Sequence, residues 1–223
     1  MGYTFNFGPV FANLDMLIAG ALITVQLSGG AMILGTIIAL TCAIAKTAGP
    51  APLRWLVDAY VEFIRNTPFL VQIFFIFFAL PSVGLRLTPN TAALLALTIN
   101  VGAYATEIIR AGIESIQRGQ VEAGYALGLK KSQIYRYIVM KPALRTIYPA
   151  LTSQFIYLML TSSVVSVISA TDLAAAGNDL QSRTFVAFEV YVVITAIYFL
   201  LSIGFSLLFA FIGRAAFTYP LSR

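Results

Sequence analysis

The sequence of 223 residues contains no histidine, a single cysteine (Cys42) and nine acidic residues. These shortages exclude imidazole catalysis, a metal site built from cysteine and histidine, and a disulfide within the chain. Charge is also scarce, because charged residues make up 10% of the sequence, whereas roughly 25% is usual in soluble proteins. Since 59% of the residues are apolar, so few charged side chains could not cover a water-soluble domain. The composition therefore indicates a membrane protein.

Long apolar segments occupy most of the chain, and five of them contain charge-free windows of 20–30 residues. A helix needs about 20 residues to cross the hydrocarbon core, and it satisfies every backbone amide within one segment. We therefore predict an all-α membrane protein with five transmembrane helices in a single domain, residues 1–223. The predicted spans cover residues 16–45, 62–83, 88–113, 145–171 and 187–213.

Lysine and arginine are distributed unevenly between the segments that connect these spans. If the N-terminus is outside, twelve of the fourteen cations lie in cytoplasmic segments, and Arg86 and Arg183 lie on the other side. The positive-inside rule therefore predicts a periplasmic N-terminus and a cytoplasmic C-terminus. The net charge of +5 thus follows from membrane topology and gives no reason to expect nucleic acid as a partner.

One long polar loop, at about residues 114–144, connects the third and fourth spans on the predicted cytoplasmic side. Its sequence predicts a short helix over residues 120–127, ended by Gly128 in the left-handed conformation. A second helix, at about residues 133–140, would be capped by Ser132 and ended by Pro142.

Two interpretations of this helical hairpin fit its residues. The hairpin could lie on anionic lipid headgroups, attracted by its cations. Alternatively, its small residues, including Ala123 and Gly124, allow a partner protein to approach closely, while Glu122 forms charge-assisted bonds to that partner. The small side chains favour the second interpretation, because they offer little apolar area to lipid.

Three stretches resemble one protein family. The sequence Glu-Ala-Gly at 122–124, with Gly128 after it and then Ile138 and Pro142, resembles the EAA loop of permease subunits in bacterial ABC importers. Residues 102–113 and 65–72 resemble the polar amino acid branch of the same family. The fourth span departs from the pattern, because Met-Leu-Thr-Ser at 159–162 stands where relatives often have Lys-Asp-Thr-Ser.

The resemblance implies the type I fold of ABC importer permeases and a multi-pass subunit of the bacterial inner membrane, without catalytic activity, cofactor or metal. Implied partners are a second permease, identical or paralogous, two cytoplasmic ATP-binding subunits, a periplasmic solute-binding protein, a polar amino acid and membrane lipid. The implied ATPase-coupling residues are Glu122, Ala123, Gly124, Gly128 and Ser132.

The alternative function is a stand-alone secondary carrier or channel. Such a protein would need intramembrane ionisable residues or an inverted repeat, and neither is recognisable in the sequence. The sequence also lacks the Gly-rich phosphate loop of an ATPase, so an importer would depend on partner chains for ATP hydrolysis.

Polar side chains within the predicted spans are candidates for lining a substrate pathway, because they are costly in lipid. The candidates are Gln26, Gln72, Asn100, Thr161, Ser162 and Ser166. Ser162, Ser166 and Ser169 would share one face of an α-helix, although hydroxyl groups often bond only to the preceding turn. Asn100 and Gln72 are the stronger candidates, because an amide is not easily satisfied by its own helix.

One acidic residue, Glu107, lies near the inner end of the third span. Arg110 follows one helical turn later, so an internal ion pair on the cytoplasmic side is expected to account for both residues.

Overall fold

The computed structural model describes residues 4–217, and helices account for most of them. We number the α-helices in chain order. They are α1 (Gly8–Phe11), α2 (Leu14–Ala48), α3 (Ala51–Arg65), α4 (Phe69–Phe74), α5 (Pro89–Glu114), α6 (Arg118–Ala126), α7 (Lys131–Gln133), α8 (Lys141–Thr161), α9 (Leu173–Thr184) and α10 (Ala187–Ala216). Phe75–Ala79 and Ile134–Met140 are π-helical, and Leu80–Val83 and Ser162–Ile168 are 3₁₀-helical.

Within residues 4–217, four helical segments are long and apolar enough to cross a membrane. They are Leu14–Ala48, Pro89–Glu114, Ile134–Ile168 and Ala187–Ala216. A fifth crossing is possible if the pair Ala51–Arg65 and Phe69–Val83, bent by 108°, counts as one broken span. The five predicted crossings therefore correspond to four continuous helices and one bent pair.

The second predicted span differs most from the structure. A continuous helix was expected over residues 62–83, but α3 ends at Arg65 and the chain turns before α4 begins. Pro68 is extended, with ψ of 135°. Because proline also disfavours the α conformation of the residue before it, the helix cannot run directly from α3 into α4.

The helical segment that contains the fourth predicted span, residues 145–171, begins at Ile134. The expectation that Pro142 ends the second hairpin helix is wrong, because the chain remains helical from Lys131 to Ile168. The π-helical segment Ile134–Met140 precedes α8, so Pro142 lies in the first turn of α8. A local change from π- to α-helical geometry allows a helix to continue through a proline, because the freed backbone groups find other partners.

The packed centre of the bundle lies between α2 and α5. Gly35 of α2 is in close contact with α5, since a Cβ at this position would lie 2.3 Å from Cγ1 of Val101. The largest apolar cluster surrounds this contact and includes buried side chains of α2, α5 and α8, such as Met32, Leu97 and Met159. By contrast, most of α10 is exposed in the single chain, as expected for a helix covered by lipid or by another subunit.

Candidate coupling hairpin and substrate path

The first helix of the predicted coupling hairpin, α6, ends as the sequence predicts. Gly128 has φ of +74°. Its N–H bonds to the carbonyl of Tyr125 at 2.9 Å, and the N–H of Leu129 bonds to the carbonyl of Gly124 at 3.1 Å. These two bonds form a Schellman motif, which satisfies carbonyls that the helix end would otherwise leave free.

The second helix of the hairpin begins differently from the prediction. Because α7 starts at Lys131, Ser132 lies inside the helix instead of capping it. Lys130 is the cap residue, and its backbone N–H donates a 2.9 Å hydrogen bond to Oε1 of Gln133. This is the returning half of a capping box, with the amide side chain three residues after the cap.

The two helical arms of the hairpin pack closely at Gly124. A Cβ at Gly124 would lie 2.6 Å from Cδ1 of Ile138 and 3.1 Å from Cγ1 of Ile134. Gly124 therefore faces the second arm of the hairpin, and the close approach it allows is within this chain. The predicted coupling role of Gly124 stays a prediction, and the structure adds that this residue packs within the hairpin.

The outer surface of α6 presents a mixed polar and apolar set of side chains. Glu122 and Ala123 are exposed, as a contact with a partner requires. Beside them, Tyr125 and Leu127 are 53% and 79% exposed. Sequence reasoning did not include these two large side chains among the candidate contacts with a partner protein. Their position close to Gly128, at the predicted end of α6, could have indicated that they are exposed.

The hairpin is attached to the bundle where α5 meets α8. Gly112 lies near the end of α5, and a Cβ there would be 2.2 Å from Cγ2 of Ile147 and 3.3 Å from the carbonyl oxygen of Ala143. The two helices that lead into and out of the hairpin therefore touch each other directly. Such a contact is possible only without a side chain at residue 112.

A cluster of charged side chains lies at the same end of the bundle. The predicted pair of Glu107 and Arg110 is confirmed, with 2.8 Å between Oε2 and Nη2, and Arg110 also contacts Glu114. Sequence reasoning missed Lys46, whose Nζ lies 2.6 Å from Oε1 of Glu107 and 2.7 Å from Oδ1 of Asp58. The cluster therefore connects α2, α3 and α5.

The two amide candidates for the pathway lie together in the interior. Nδ2 of Asn100 donates to Oε1 of Gln72 at 3.1 Å. Nε2 of Gln72 donates in turn to the carbonyl oxygens of Ile64 at 2.8 Å and Thr67 at 3.0 Å. Gln72 therefore satisfies backbone carbonyls freed by the bend between α3 and α4, and Asn100 joins this bend to α5.

The predicted serine face of the fourth span is not formed. Ser162–Ile168 is a 3₁₀-helix, in which residues three apart align, so Ser162 lies on a different face from Ser166. Ser169 follows the helix in the left-handed conformation, with φ of 63°. Ser162 is fully buried, and its Oγ donates to the carbonyl oxygen of Met159 at 2.7 Å. Oγ of Ser166 donates to the carbonyl oxygen of Ser163 at 2.9 Å, so both hydroxyl groups bond locally.

The two remaining pathway candidates differ in exposure. Gln26 is exposed on α2. Thr161, the last residue of α8, is half-buried.

A cleft of about 530 Å³ opens at the opposite end of α2 from the charged cluster. Its lining combines α2, the end of the 3₁₀-helix and α9, and includes Met16, Gly20, Ser166, Ser169, Asn178 and Asp179. Ser166 is thus the one pathway candidate among the lining residues of this cleft.

A buried carboxylate, Asp172, caps α9 beside this cleft. Its Oδ1 accepts from the backbone N–H of Ala175 at 3.0 Å, and the hydroxyl of Tyr198 donates to its Oδ2 at 3.3 Å. Burial raises the pKa of Asp172 to about 6, because removal from water disfavours the charged carboxylate. Sequence reasoning gave Asp172 no role.

Comparison with protein families gives one match, to binding-protein-dependent transport system inner membrane components, over residues 31–217. Among curated relatives, the probable glutamine ABC transporter permease protein GlnM of Bacillus subtilis is 36% identical, over 91% of this chain and 94% of that protein. The L-cystine transport system permease protein TcyB of the same organism is 38% identical, over 75% of this chain and 72% of that protein. The glutamine transport system permease protein GlnP of Escherichia coli is 34% identical, over 91% and 93%.

Solved structures give the same result. A chain from the crystal structure of an amino acid ABC transporter with histidines superposes with a TM-score of 0.88 at 36% identity, covering 96% of this chain and 100% of that chain. A chain of the inward-facing MetNI methionine ABC transporter superposes with a TM-score of 0.72, covering 92% and 97%. At 22% identity, the second likeness concerns the fold alone.

Proposed function

Because this chain belongs to the family of binding-protein-dependent transport system inner membrane components, we propose that it carries a polar amino acid inward together with a second permease subunit. The chain has the fold of ABC importer permeases and is a multi-pass protein of the bacterial inner membrane. In the proposed complex, a solute-binding protein delivers the amino acid at the outer surface, and two cytoplasmic ATP-binding subunits supply the energy.

The observation that carries this proposal is the hairpin at residues 115–140. Its tip presents Glu122, Ala123, Tyr125 and Leu127 to the surroundings, and its arms are fixed to each other at Gly124. A rigid, exposed element with apolar and charged side chains suits docking into a groove of another protein. ATP-driven movement of that protein would then displace α5 and α8 together, as in rigid-body alternating access.

The five coupling residues take two kinds of role in this proposal. Glu122 and Ala123 are exposed and contact the ATP-binding subunit directly. Gly124 and Gly128 fix the shape of the hairpin, by close packing and by left-handed backbone. Ser132, inside α7, contributes to the second arm.

The substrate class rests on the relatives. Two of the relatives described above are named for glutamine and one for cystine, and the similar solved transporter was crystallised with histidines. These molecules share a zwitterionic amino acid backbone and a polar side chain. Leu160 is apolar where relatives often have aspartate. Because two of the relatives are named for glutamine, this uncharged polar amino acid is the first to test.

Reconstitution tests the proposed function. The complex that co-purifies through a tag on this chain is placed in proteoliposomes with internal ATP. The periplasmic fraction of the source cells, which contains the solute-binding protein, is added outside, and uptake of radiolabelled glutamine, cystine, histidine and arginine is measured. We expect ATP-binding subunits in the complex and ATP-dependent uptake of at least one of these amino acids. Uptake by this chain alone, without ATP, would instead identify a secondary carrier.

The orientation in the membrane can be tested separately. In a variant with Cys42→Ser, a cysteine introduced at Leu127 is expected to react with a membrane-impermeant maleimide only in inverted vesicles. A cysteine at Phe185, which is 86% exposed between α9 and α10, is expected to react only from the outside of intact cells. The reverse pattern would overturn the predicted topology.

A further inference from the structure

Glu107 makes two contacts that point in different directions. Its Oε1 lies 2.6 Å from Nζ of Lys46 in α2, and its Oε2 lies 2.8 Å from Nη2 of Arg110 in α5. Lys46 also reaches Asp58 of α3 at 2.7 Å. The side chains of Lys46 and Glu107 are 15% and 18% exposed, so solvent screens this pair less than an ordinary surface ion pair.

The position of this carboxylate relative to the hairpin is the important feature. Arg110 continues the chain of contacts to Glu114, which is the last residue of α5, and α6 begins at Arg118. The charged cluster therefore spans the final turns of the helix that leads into the hairpin. On its other side, the cluster reaches the end of α2 at Lys46 and the middle of α3 at Asp58. Neither helix is connected directly along the chain to the hairpin.

Other contacts hold the same three helices together further from the hairpin. The hydroxyl of Tyr60 in α3 donates to the carbonyl oxygen of Ile99 in α5 at 2.7 Å. Gly35 packs against Val101. These contacts do not depend on Glu107, so the bundle should fold without its charge. The end of α2, and Asp58 of α3 through Lys46, would however lose their attachment to the last turns of α5.

From these contacts we propose that Glu107 is a positioning residue, which ties α2 and α3 to the end of α5 at the base of the coupling hairpin. A displacement of the hairpin then moves α2, α3 and α5 together. This inference rests on the proposed function, because it assumes that an ATP-binding subunit displaces the hairpin. Charge-assisted hydrogen bonds suit this role, since they are strong and directional and keep their partners in register during a rigid-body movement.

The test compares transport with ATP hydrolysis. The complex carrying Glu107→Gln is reconstituted in proteoliposomes, and uptake of the amino acid that is best transported by the wild type is measured beside ATP hydrolysis. We expect normal assembly and ATP hydrolysis, whereas the ATP consumed per molecule transported rises about tenfold, the size of a typical coupling effect. Lys46→Met should raise the same ratio, and Lys46→Arg, which keeps the charge, should leave it near the wild-type value.

Glu62→Gln is the matched control, since Glu62 is an exposed acid of α3 that accepts a hydrogen bond from Asn66, its neighbour one turn later. This variant should keep the wild-type ratio.

If Glu107→Gln and Lys46→Met reduce assembly, hydrolysis and uptake in proportion, the cluster only stabilises the fold and the inference is overturned. An unchanged ratio in both variants also overturns it, while the proposed function stands as long as the wild type shows ATP-dependent uptake. If the wild-type complex shows no such uptake, the proposed function fails, and this inference fails with it.

Discussion

Asn100 donates a 3.1 Å hydrogen bond to Gln72, and this bond joins the centre of α5 to the bend between α3 and α4. Both side chains are buried. Their amides are therefore engaged with each other and with backbone carbonyls of the bend. This arrangement gives the pair a structural function in the single chain, in addition to the pathway role that remains a prediction.

Replacing Asn100 with leucine should weaken the bend. The variant leaves Oε1 of Gln72 buried without this donor, at a cost of about 1–3 kcal/mol. We expect a lower apparent melting temperature of the purified complex and slower uptake, with the ATP-binding subunits still attached. Thermal unfolding in detergent and uptake by proteoliposomes measure the two effects.

A double-mutant cycle tests whether the two amides act as one unit. If they do, Asn100→Leu combined with Gln72→Leu should lower the melting temperature by less than the sum of the single variants. Additive losses would show that the two side chains stabilise the protein independently. A change in KM for the amino acid, without loss of stability, would instead favour direct contact with the substrate.

Gly128→Val should disconnect the hairpin from its partner. A β-branched residue at φ of +74° is strained by roughly 1–2 kcal/mol or more, so the Schellman end of α6 should be lost and the second arm displaced. We expect normal insertion in the membrane but much less ATP-binding subunit in the purified complex, as measured by quantitative gel analysis.

Gly84→Val is the matched control for this prediction. Gly84 has a similar φ of +88°, and an added Cβ at either glycine would meet open space within the described part of the chain. The two variants therefore introduce comparable backbone strain at different sites. Loss of the ATP-binding subunit in both variants would mean that general instability, rather than the hairpin, is responsible.

Gly112→Ala should separate the two helices at the base of the hairpin. Its Cβ would lie 2.2 Å from Cγ2 of Ile147, on a side chain that is stiff because it is β-branched. Overpacking of this kind costs about 1–3 kcal/mol, so we expect a lower melting temperature and reduced uptake. Ile147→Ala removes the obstructing methyl, and the double variant should recover part of both losses; no recovery would place the cause elsewhere.

The sequence predicted those features that depend on local chemistry. The left-handed Gly128 and the pair of Glu107 with Arg110 are confirmed, since each is specified within one or two helical turns. Lys46 could not be assigned in this way, because its partner Glu107 is 61 residues away. Which cation meets which acid at that distance depends on how α2 and α5 are packed.

The backbone form of the helices was the main error of the sequence-based interpretation. The 3₁₀-helix at Ser162–Ile168 and the π-helix at Ile134–Met140 were both expected to be α-helical. Hydrophobic periodicity does not distinguish these forms over one or two turns, and tertiary packing selects between them. This error affected the predicted lining of the substrate pathway, because the change from 3.6 to 3.0 residues per turn separates Ser162 from Ser166.

Asp172 should make the stability of the protein depend on pH. Burial raises its pKa from 3.8 to about 6, so the folded protein binds a proton more tightly than the unfolded chain. The contribution of this group is therefore fully present below pH 3.8 and is lost as the pH rises through about 6. We expect the apparent melting temperature to fall over this interval because of Asp172.

Asp172→Asn tests this dependence directly, because asparagine keeps an oxygen that can accept from the N–H of Ala175 but does not ionise. The groups facing Asp172 are the hydroxyl of Tyr198 in α10 and its own helix end in α9, and neither changes its charge below about pH 7. The variant should therefore be more stable than the wild type above about pH 6 and should lose the pH dependence below it. A wild-type melting temperature that rises from about pH 4 to about pH 6, with the same slope in the variant, would contradict the assignment, because another acid would then control the transition.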